Sequence, residues 1–318
     1  MTSDGTILVE HLSKSFGTVR AVDDLSFQVT PGRVTGFLGP NGAGKTTTLR
    51  MLLGLVRPTS GAATIGGRTY GQITRPLKTV GAALEASSFH PGRTARDHLR
   101  LFAPQVGVPD ARADEVIDLV GLSDARDRRV GVFSLGMRQR LALATTLLGD
   151  PRVLLLDEPA NGLDPEGIRW LRGFLRALAG EGRTILVSSH VLSEVEQTVD
   201  DVVIIARGRL AHASSLAELA GMAAPRVRVV SPDPDGLAAL VERSGWRRTD
   251  AGDPRVAQLL DVTAATVGAA AFAAGVELHE LAAQDPGLEG LFLKLVGSTE
   301  AGPVEPGSVP PGSVEVSA

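Results

Sequence analysis

The chain has 318 residues, of which 43% are hydrophobic, and its formal net charge at pH 7 is −4. This length and hydrophobic content are typical of two domains with buried cores. The absence of cysteine excludes disulfides, thiolate metal sites and cysteine nucleophiles, and the mixed charges give no basic field for nucleic acid. The first residues lack the pattern of a secretory signal. The stretch at 262–276 is too short and too weakly apolar to predict a transmembrane helix, so we expect a packed helix there.

The first half of the chain predicts strands, a glycine-rich loop and then a helical stretch. Apolar residues at 7–12 and 25–29 predict two strands, and residues 34–38 form an apolar run directly before the loop. Residues 62–65 predict another short strand after a turn. Over residues 94–148 the apolar spacing becomes helical, which predicts a helical insertion.

Parallel-sheet character returns in the second half of the chain. Residues 153–156, 184–187 and 202–205 are continuous apolar runs, as expected of strands buried on both faces. Helical stretches separate these runs. We therefore predict an α/β domain over residues 1–212, with a helical subdomain at about 88–150.

The remaining residues predict a second, smaller domain. We interpret residues 213–225 as a linker and residues 226–298 as a small α+β accessory domain. Residues 299–318 lack aromatic side chains and are rich in Pro, Gly, Ser and Val, so we predict that they are disordered. The elements predicted for the accessory domain are a strand at 227–230 and helices at 237–243 and 288–296.

Residues 39–46 match the phosphate-binding pattern GxxxxGK[ST] and lie between a predicted strand and a predicted helix. In such a loop, backbone N–H groups and the helix N-terminus bind phosphate oxygens. Lys45 would reach the β- and γ-phosphates, and the Thr46 hydroxyl would bind Mg²⁺. A chance match in a glycine-rich chain is the alternative, which the strand and helix context disfavours. The predicted nucleotide-binding residues of this segment are Gly39, Pro40, Asn41, Gly42, Ala43, Gly44, Lys45, Thr46 and Thr47.

Polar residues follow two of the predicted parallel strands. Asp157 and Glu158 come directly after one, at the sheet edge where α/β proteins present groups to a ligand. Asp157 is suited to bind Mg²⁺ and Glu158 to act as general base for the attacking water; the alternative is that both only cap the next helix. His190 follows another strand, where either a hydrogen bond to backbone or a contact with the γ-phosphate is expected.

Residues 133–140 read FSLGMRQR and precede a helical stretch. Alone, Ser-x-Gly before a helix is a cap and a ready anion site. In order with the phosphate loop and the acidic pair, it resembles the signature of the nucleotide-binding subunits of ABC transporters, in the form associated with drug and peptide-antibiotic export. The resemblance covers about residues 5–212. It implies the α/β fold of an ABC cassette of the P-loop NTPase class, with a mixed-sheet core, a helical insertion and, more loosely, a small accessory domain.

The resemblance also implies roles for further residues. Phe16 matches the aromatic residue that stacks on adenine, although alone it would be interpreted as a core Phe. Ser134 and Gly136 match signature residues that face the γ-phosphate held by the opposite subunit. Asp164 matches a loop that crosses the dimer interface, and His190 matches the switch histidine. The implied catalytic residues are Lys45, Glu158 and His190, and the implied metal-binding residues are Thr46, Glu85 and Asp157.

Two positions depart from the family pattern. Glu85 lies where most relatives have the Gln that couples Mg²⁺ and water to the membrane partner. Its carboxylate still accepts from Mg²⁺-bound water, but it adds negative charge beside the phosphates. Met137 replaces the signature Gln, which removes that side chain's polar contact. We expect both changes to tune rate and coupling, because neither removes a group essential to hydrolysis.

The implied function is that of the ATPase subunit of an ABC exporter for a drug, an antibiotic or another small amphipathic or peptide molecule. ATP and Mg²⁺ are the implied cofactors. The implied partners are a second copy of the chain, formed on ATP binding, and a separate integral-membrane permease. No nucleic-acid partner and no direct membrane insertion are expected, and the implied location is the cytoplasmic face of the membrane.

Two alternatives come from other functional classes. A soluble ABC ATPase that acts on ribosomes or DNA is disfavoured by the single cassette and the lack of a charged heptad run. A non-catalytic nucleotide sensor is disfavoured because Lys45, Asp157, Glu158 and His190 are all present. The accessory domain is expected to stabilise the dimer or to modulate the ATPase rate.

Overall fold

The computed structural model describes residues 5–84, 89–222, 226–249, 252–284 and 287–298. Glu85 and the stretch predicted to be disordered, 299–318, lie outside the described residues. The strands are β1 (Ile7–Phe16), β2 (Val19–Val29), β3 (Val34–Leu38), β4 (Ser60–Ile65), β5 (Val80–Ala83), β6 (Val153–Leu156), β7 (Thr184–Ser189), β8 (Asp201–Ala206), β9 (Arg209–Ser215), β10 (Arg226–Val230), β11 (Arg247–Thr249), β12 (Val256–Leu260) and β13 (Glu280–Gln284).

The helices agree with the sequence in placing an insertion between β5 and β6. They are α1 (Lys45–Leu52), α2 (Pro76–Thr79), α3 (Ala95–Val106), α4 (Ala111–Leu119), α5 (Leu135–Leu147), α6 (Pro165–Gly180), α7 (Leu192–Val195), α8 (Leu216–Met222), α9 (Pro234–Ser244), α10 (Ala264–Ala274) and α11 (Gly287–Ser298). Short 3₁₀ helices lie at Tyr70–Gln72, Ser123–Ala125 and Val130–Val132.

A six-stranded sheet of order β5-β6-β7-β3-β8-β9 forms the centre of the first domain. Its neighbouring strands are parallel except for β9, which pairs antiparallel with β8. The continuous apolar runs of β3, β6 and β7 are buried, because both faces of the sheet are covered. The carboxyl ends of these strands therefore lie side by side along one edge.

Each face of the central sheet packs against a different layer. One face packs on α1 and on the antiparallel sheet β2-β1-β4, with Phe37 and Leu155 in the shared core. The other face packs on the helical layer α3–α6, with Leu38 and Leu156 in that core. Alternation along each strand divides the apolar residues between the two layers. The prediction of an α/β fold with a mixed-sheet core and a helical insertion is confirmed.

The prediction of a linker at 213–225 is wrong for residues 213–222, which lie in a strand and a helix. Residues 209–215 form β9, which pairs with the edge strand β8 and satisfies its backbone groups, and residues 216–222 form α8. The final helix, α11, also lies outside the domain predicted for it. Its apolar face, which includes the buried Phe292, packs into the core of the first domain with Leu192 and Leu219.

The accessory domain has the order β10-α9-β11-β12-α10-β13, and its sheet has the strand order β11-β12-β10-β13. Val227 and Val229 of β10 point into its core with Leu237 of α9 and Val267 of α10. The predicted helix at 262–276 is present as α10, but it packs on one side only, and Phe272 is 90% exposed.

Candidate functional site

The glycine-rich loop lies between β3 and α1, at the carboxyl edge of the central sheet. A side chain at Gly39 would collide with the carbonyl oxygen of Ile205, because the loop presses against β8. The N–H of Gly208 donates to the carbonyl oxygen of Ala43 over 3.0 Å, which ties the loop to the β8–β9 turn. Gly44 at the N-cap of α1 has no side chain to cap the helix. The first N–H groups of α1 therefore remain available for an anion.

Lys45 is buried, with only 6% of its surface exposed. Its ammonium nitrogen Nζ lies 2.6 Å from the carbonyl oxygen of Gly39 and 3.3 Å from that of Pro40. It also lies 3.4 Å from Oε1 of Glu158. The loop thus holds one positive charge between its own carbonyl oxygens and the acid at the end of β6, and this charge is available to phosphate oxygens.

Asp157 is held at the sheet edge by groups from three other segments. The Thr46 hydroxyl donates to Oδ2 of Asp157 over 2.7 Å, and the Ser188 hydroxyl donates to Oδ1. The backbone N–H of Asp157 donates to the carbonyl oxygen of Ala83 over 2.8 Å. Hydroxyl and carboxylate oxygens are hard ligands that suit Mg²⁺, so Thr46 and Asp157 fit the predicted metal site.

Within the described ranges, no cluster of three or more His, Asp or Glu side chains is arranged to hold a metal ion. Mg²⁺ in nucleotide sites takes most of its ligands from water and substrate phosphates. The predicted third ligand, Glu85, lies outside the described residues.

Glu158 and His190 meet at the same edge of the sheet. Nδ1 of His190 lies 2.9 Å from Oε2 of Glu158, so the imidazole contacts the carboxylate predicted to act as general base. Glu158 has a positive φ of 49°, which is uncommon for a residue with a Cβ and is found where the surrounding structure fixes a strained conformation. Its N–H donates to the Ser188 hydroxyl over 2.9 Å, which fixes the backbone at this point.

Ser188 is a site residue that the motif search missed. Its hydroxyl contacts both the Asp157 carboxylate and the Glu158 backbone, so it fixes the relative positions of the two acids. The predicted strand ended at residue 187, whereas β7 continues to Ser189. The sequence shows only that Ser188 is the first polar residue after the apolar run at 184–187, and the pairing of β7 with the acid-bearing β6 gives this residue its role.

The signature segment begins α5 on the helical layer. The Ser134 hydroxyl accepts from the N–H of Met137 over 3.2 Å and so caps the helix. Leu135 lies against Gly162, whose φ of 72° and lack of a Cβ permit this close approach. Asp164 caps α6 by accepting from the N–H of Gly167 over 2.7 Å. The signature and the predicted dimer loop therefore form one continuous surface.

The phosphate loop and the signature border different cavities. Residues of the loop, Ala21 and Glu158 line the first cavity, and Ser134, Gly136 and Asp164 line the second. No lining residue is common to the two within the described part of the chain. The side chain of Met137, which departs from the family pattern, packs against the helical core. The chain thus brings the loop and both acids together but does not bring the signature to them.

Phe16 lies at the end of β1 and is 51% exposed. The Lys14 ammonium lies 4.8 Å from the centre of its ring. Ala21, on the strand that follows, lines the cavity of the phosphate loop, so the hairpin that carries Phe16 borders this cavity. The ring is therefore not the core residue that its type alone would suggest.

A buried histidine lies in the helical layer beside the first domain's sheet. The ring of His98 lies 4.9 Å from the ring of Phe89 and 5.0 Å from that of Phe102. Burial, together with the positive charge of Arg93, lowers the pKa of His98 from 6.5 to about 4. His98 is thus neutral at pH 7 and becomes charged in the folded chain only in strong acid.

None of the helices in the described part of the chain has the length and apolar character needed to span a membrane. A family model described as "ABC transporter" matches residues 22–161. A second model, described as a domain of unknown function (DUF8746), matches residues 225–289, which is most of the accessory domain.

Two named relatives each match a little under two thirds of the chain. The chain is 48% identical over 202 residues to the bacitracin transport ATP-binding protein BcrA of Bacillus licheniformis. This match covers 63% of this chain and 66% of the Bacillus protein, just under two thirds of that protein's length. It is 38% identical over 202 residues to the lantibiotic transport ATP-binding protein SrtF of Streptococcus pyogenes, covering 64% of this chain and 87% of that protein. A solved ATP binding subunit of an ABC transporter superposes with a TM-score of 0.61 at 28% identity, over 68% of this chain and 92% of that chain.

Proposed function

This chain belongs to the ABC transporter family, and from that membership we propose that it is the ATPase subunit of an exporter for an antibiotic, a drug or another small amphipathic or peptide molecule. Members of the family hydrolyse ATP to power transport. The relatives described above are named for bacitracin and lantibiotic transport, which supports an antibiotic or peptide as cargo. The observation that carries the proposal is the contact set at the sheet edge, where Lys45, Asp157 and Glu158 converge on one loop.

The proposed reaction is attack of water on the γ-phosphate of ATP. The loop N–H groups and Lys45 bind the phosphates and oppose the charge that develops on their oxygens. Thr46 and Asp157 would hold Mg²⁺, which when bound neutralises charge on the β- and γ-phosphate oxygens. Glu158 accepts the proton of the attacking water. His190 orients the Glu158 carboxylate through its contact of 2.9 Å and lies where a γ-phosphate contact is expected.

We further propose that two copies of the chain close head-to-tail around two ATP molecules. The support is geometric, because the phosphate loop and the signature border separate cavities of one chain. Ser134 and Gly136 at the start of α5 offer an anion site that the loop of the same chain does not fill. A second copy would bring its own signature to this loop, and Asp164 and Gly162 would lie in the interface between the two.

ATP-binding subunits of ABC transporters pair with membrane permeases, and we propose that this chain does so at the cytoplasmic face of the membrane.

For the accessory domain we propose that it stabilises the dimer or modulates the ATPase rate. The support for modulation is that α11, which follows the accessory sheet, contacts α7, directly after the segment that carries His190. No nucleic-acid partner is proposed, because the chain's charges are mixed.

The ATPase assignment is tested by changing Glu158→Gln in the full chain. We expect the turnover number to fall at least about 100-fold, because the amide cannot accept the proton of water. Binding of ATP should stay within about threefold of the unchanged chain. Glu242→Gln, the same chemical change on the exposed face of α9, is the matched control and should leave turnover unchanged. Full ATPase activity of the Glu158→Gln chain would reject the proposed role.

The transport assignment is tested in cells that lack the gene for this chain. Bacitracin and lantibiotic susceptibility should rise in such cells and return to normal with the unchanged chain, but not with the Glu158→Gln chain. Susceptibility that is unchanged across all drugs tested, together with ATP-dependent co-sedimentation with ribosomes, would favour the soluble alternative instead.

A further inference from the structure

A third cavity lies where the accessory sheet meets α8 and α11. Its volume is about 610 Å³, which is enough for an organic molecule, since ligand pockets typically have about 300–1,000 Å³. None of its lining residues belongs to the phosphate loop or the signature. The side chains used in the argument below are Met222, Arg226, Gln258, Gln284, Leu291 and Lys294.

Strand alternation explains why this face of the accessory sheet is polar. Val227 and Val229 of β10 point into the accessory core beneath α9 and α10. Arg226 therefore points to the opposite face, where β10 pairs with Gln284 of β13 in antiparallel register. Gln258 of β12 lies on the same face, opposite Arg228. This polar face is turned toward α11, which carries Leu291 and Lys294.

The cations of this region differ in their partners. Arg228 pairs with Glu280 at 3.1 Å, and Arg247 pairs with Asp261 at 3.3 Å. The side chains of Arg226 and Lys294, which line the cavity, have neither an ion-pair nor a hydrogen-bond partner in the described part of the chain. Two unpaired positive charges thus face one half-enclosed space from a strand and from a helix, and an anion placed there would pair with both.

We propose that this cavity binds a small organic anion with a carboxylate, phosphate or sulfonate group on an apolar body. The Arg226 guanidinium presents parallel donors that suit the oxygens of such a group, and the Lys294 ammonium adds a second charge. The amides of Gln258 and Gln284 supply further hydrogen bonds. Leu291 and Met222 contact the apolar body, as is usual for ligand pockets that combine apolar walls with few polar groups.

The position of the cavity gives the ligand a route to the ATPase. A bound anion would join the accessory sheet to α11 through Arg226 and Lys294. Helix α11 contacts α7, which begins at Leu192, two residues after His190. The ligand site is therefore a regulatory site for the proposed ATPase, although binding itself does not depend on hydrolysis and is measured without it.

The test uses the fluorescent organic anion anilinonaphthalene sulfonate as probe, with the full chain and saturating ADP so that the phosphate loop is filled. The double variant Arg226→Gln/Lys294→Gln should weaken binding of the probe at least about tenfold, because charge-assisted hydrogen bonds are lost. The matched control, Arg228→Gln/Arg247→Gln, removes two positive charges from the same sheet face and should change affinity by less than about twofold. Circular dichroism of both variants establishes that they are folded.

Competition then tests the chemical class of the ligand. Octanoate and octyl phosphate should displace the probe, and the stronger competitor identifies the preferred head group. Octanol, which has the same chain without a charge, should not displace it. Equal probe affinity in the unchanged chain and the Arg226→Gln/Lys294→Gln variant would overturn the proposal, as would displacement by octanol as effective as displacement by octanoate. Neither result would affect the proposed ATPase function, which the Glu158→Gln comparison tests separately.

Discussion

The sheet edge and the start of α5 are both proposed to bind ATP, yet they differ in how they are built. At the sheet edge, groups from three segments meet in polar contacts of 3.4 Å or less: Thr46 with Asp157, Ser188 with Glu158, His190 with Glu158, and Glu158 with Lys45. At the start of α5, the polar contact of Ser134 is to Met137 of its own first turn. The first region is assembled within one chain, whereas the second faces outward.

This difference separates what a single chain can do from what it needs a second copy to do. The sheet edge contains the cation, the acids and the loop that binding of a nucleotide requires. The start of α5 contributes backbone N–H groups and the Ser134 hydroxyl, and it lies beside the loop at Gly162. Changes in the first region should therefore affect a single chain, and changes in the second should affect only the assembled pair.

The largest effect that separates the two regions is expected from Ser134→Arg. A long cation at the N-cap would block the anion site without touching the cavity of the phosphate loop. We expect the ATPase rate to fall about 100-fold, as for the loss of a group that stabilises transition-state charge. Equilibrium binding of ATP to the single chain should be unchanged. Weakened ATP binding in this variant would mean that the signature already contributes within one chain.

A smaller effect, confined to the sheet edge, is expected from Ser188→Ala. Loss of the hydroxyl leaves one Asp157 oxygen and the Glu158 N–H without their partner, at a cost of about 1–3 kcal/mol. We expect the ATPase rate to fall about tenfold, with a comparable loss of Mg²⁺-dependent ATP affinity. Measuring the rate as a function of Mg²⁺ concentration would test this expectation.

Thr35→Val is the matched control for Ser188→Ala. The Thr35 hydroxyl lies buried on the neighbouring strand β3 and has no hydrogen-bond partner among the residues that the structure describes. Its removal should leave both the rate and the Mg²⁺ dependence unchanged. If both variants lose activity equally, the sheet edge is sensitive to any change in its strands, and the specific role inferred for Ser188 is wrong.

The smallest effect is expected in the pH dependence of stability, and it comes from the helical layer that carries the signature. His98 has a pKa of about 4 in the folded chain and 6.5 as its ordinary value. Between these values the unfolded chain binds a proton that the folded chain does not. The contribution of His98 to the free energy of unfolding is therefore fully present above pH 6.5 and is lost as the pH falls toward 4. The total loss is roughly 3 kcal/mol, since one pKa unit is worth about 1.4 kcal/mol.

His98→Phe should remove this component of the pH dependence. The substitution keeps a ring between Phe89 and Phe102. It also removes the buried Nδ1 atom, which has no hydrogen-bond partner within the described part of the chain. Urea unfolding at pH 5 and pH 7.5 would measure how the free energy of unfolding changes with pH, with His279→Phe on the exposed surface as control. If the free energy of unfolding differs between the two pH values by as much in the His98→Phe chain as in the unchanged chain, His98 is not the source of the pH dependence.

The sequence pattern was sufficient for most of the central sheet and for the site at its edge. β3 and β6 begin and end where the apolar runs do, because strands buried on both faces are continuous apolar segments. β9 was not predicted, since it is an edge strand whose alternating, half-exposed residues resemble a connector. The contact of α11 with the first domain was also missed, because spacing shows that a helix has an apolar face but not which surface covers that face.

The roles of individual site residues depended on three-dimensional contacts that local patterns do not contain. Ser188 carries no motif, and its importance follows only from the adjacency of β6 and β7. Likewise, the sequence left two interpretations of His190, and the contact of its ring with Glu158 is set by the parallel pairing of those strands. The motifs thus identify the chemical groups of the site, and the pairing of the strands determines which of these groups contact one another.

The central claim is that the phosphate loop of one chain is completed by the signature of a second. The most direct test measures the mass in solution of the Glu158→Gln chain with ATP, with ADP, and with ATP after the further change Ser134→Arg. We predict a dimer with ATP, a single chain with ADP, and a single chain with ATP when Ser134→Arg is present. A Glu158→Gln chain that stays single with ATP, or a dimer that survives Ser134→Arg, would contradict the claim.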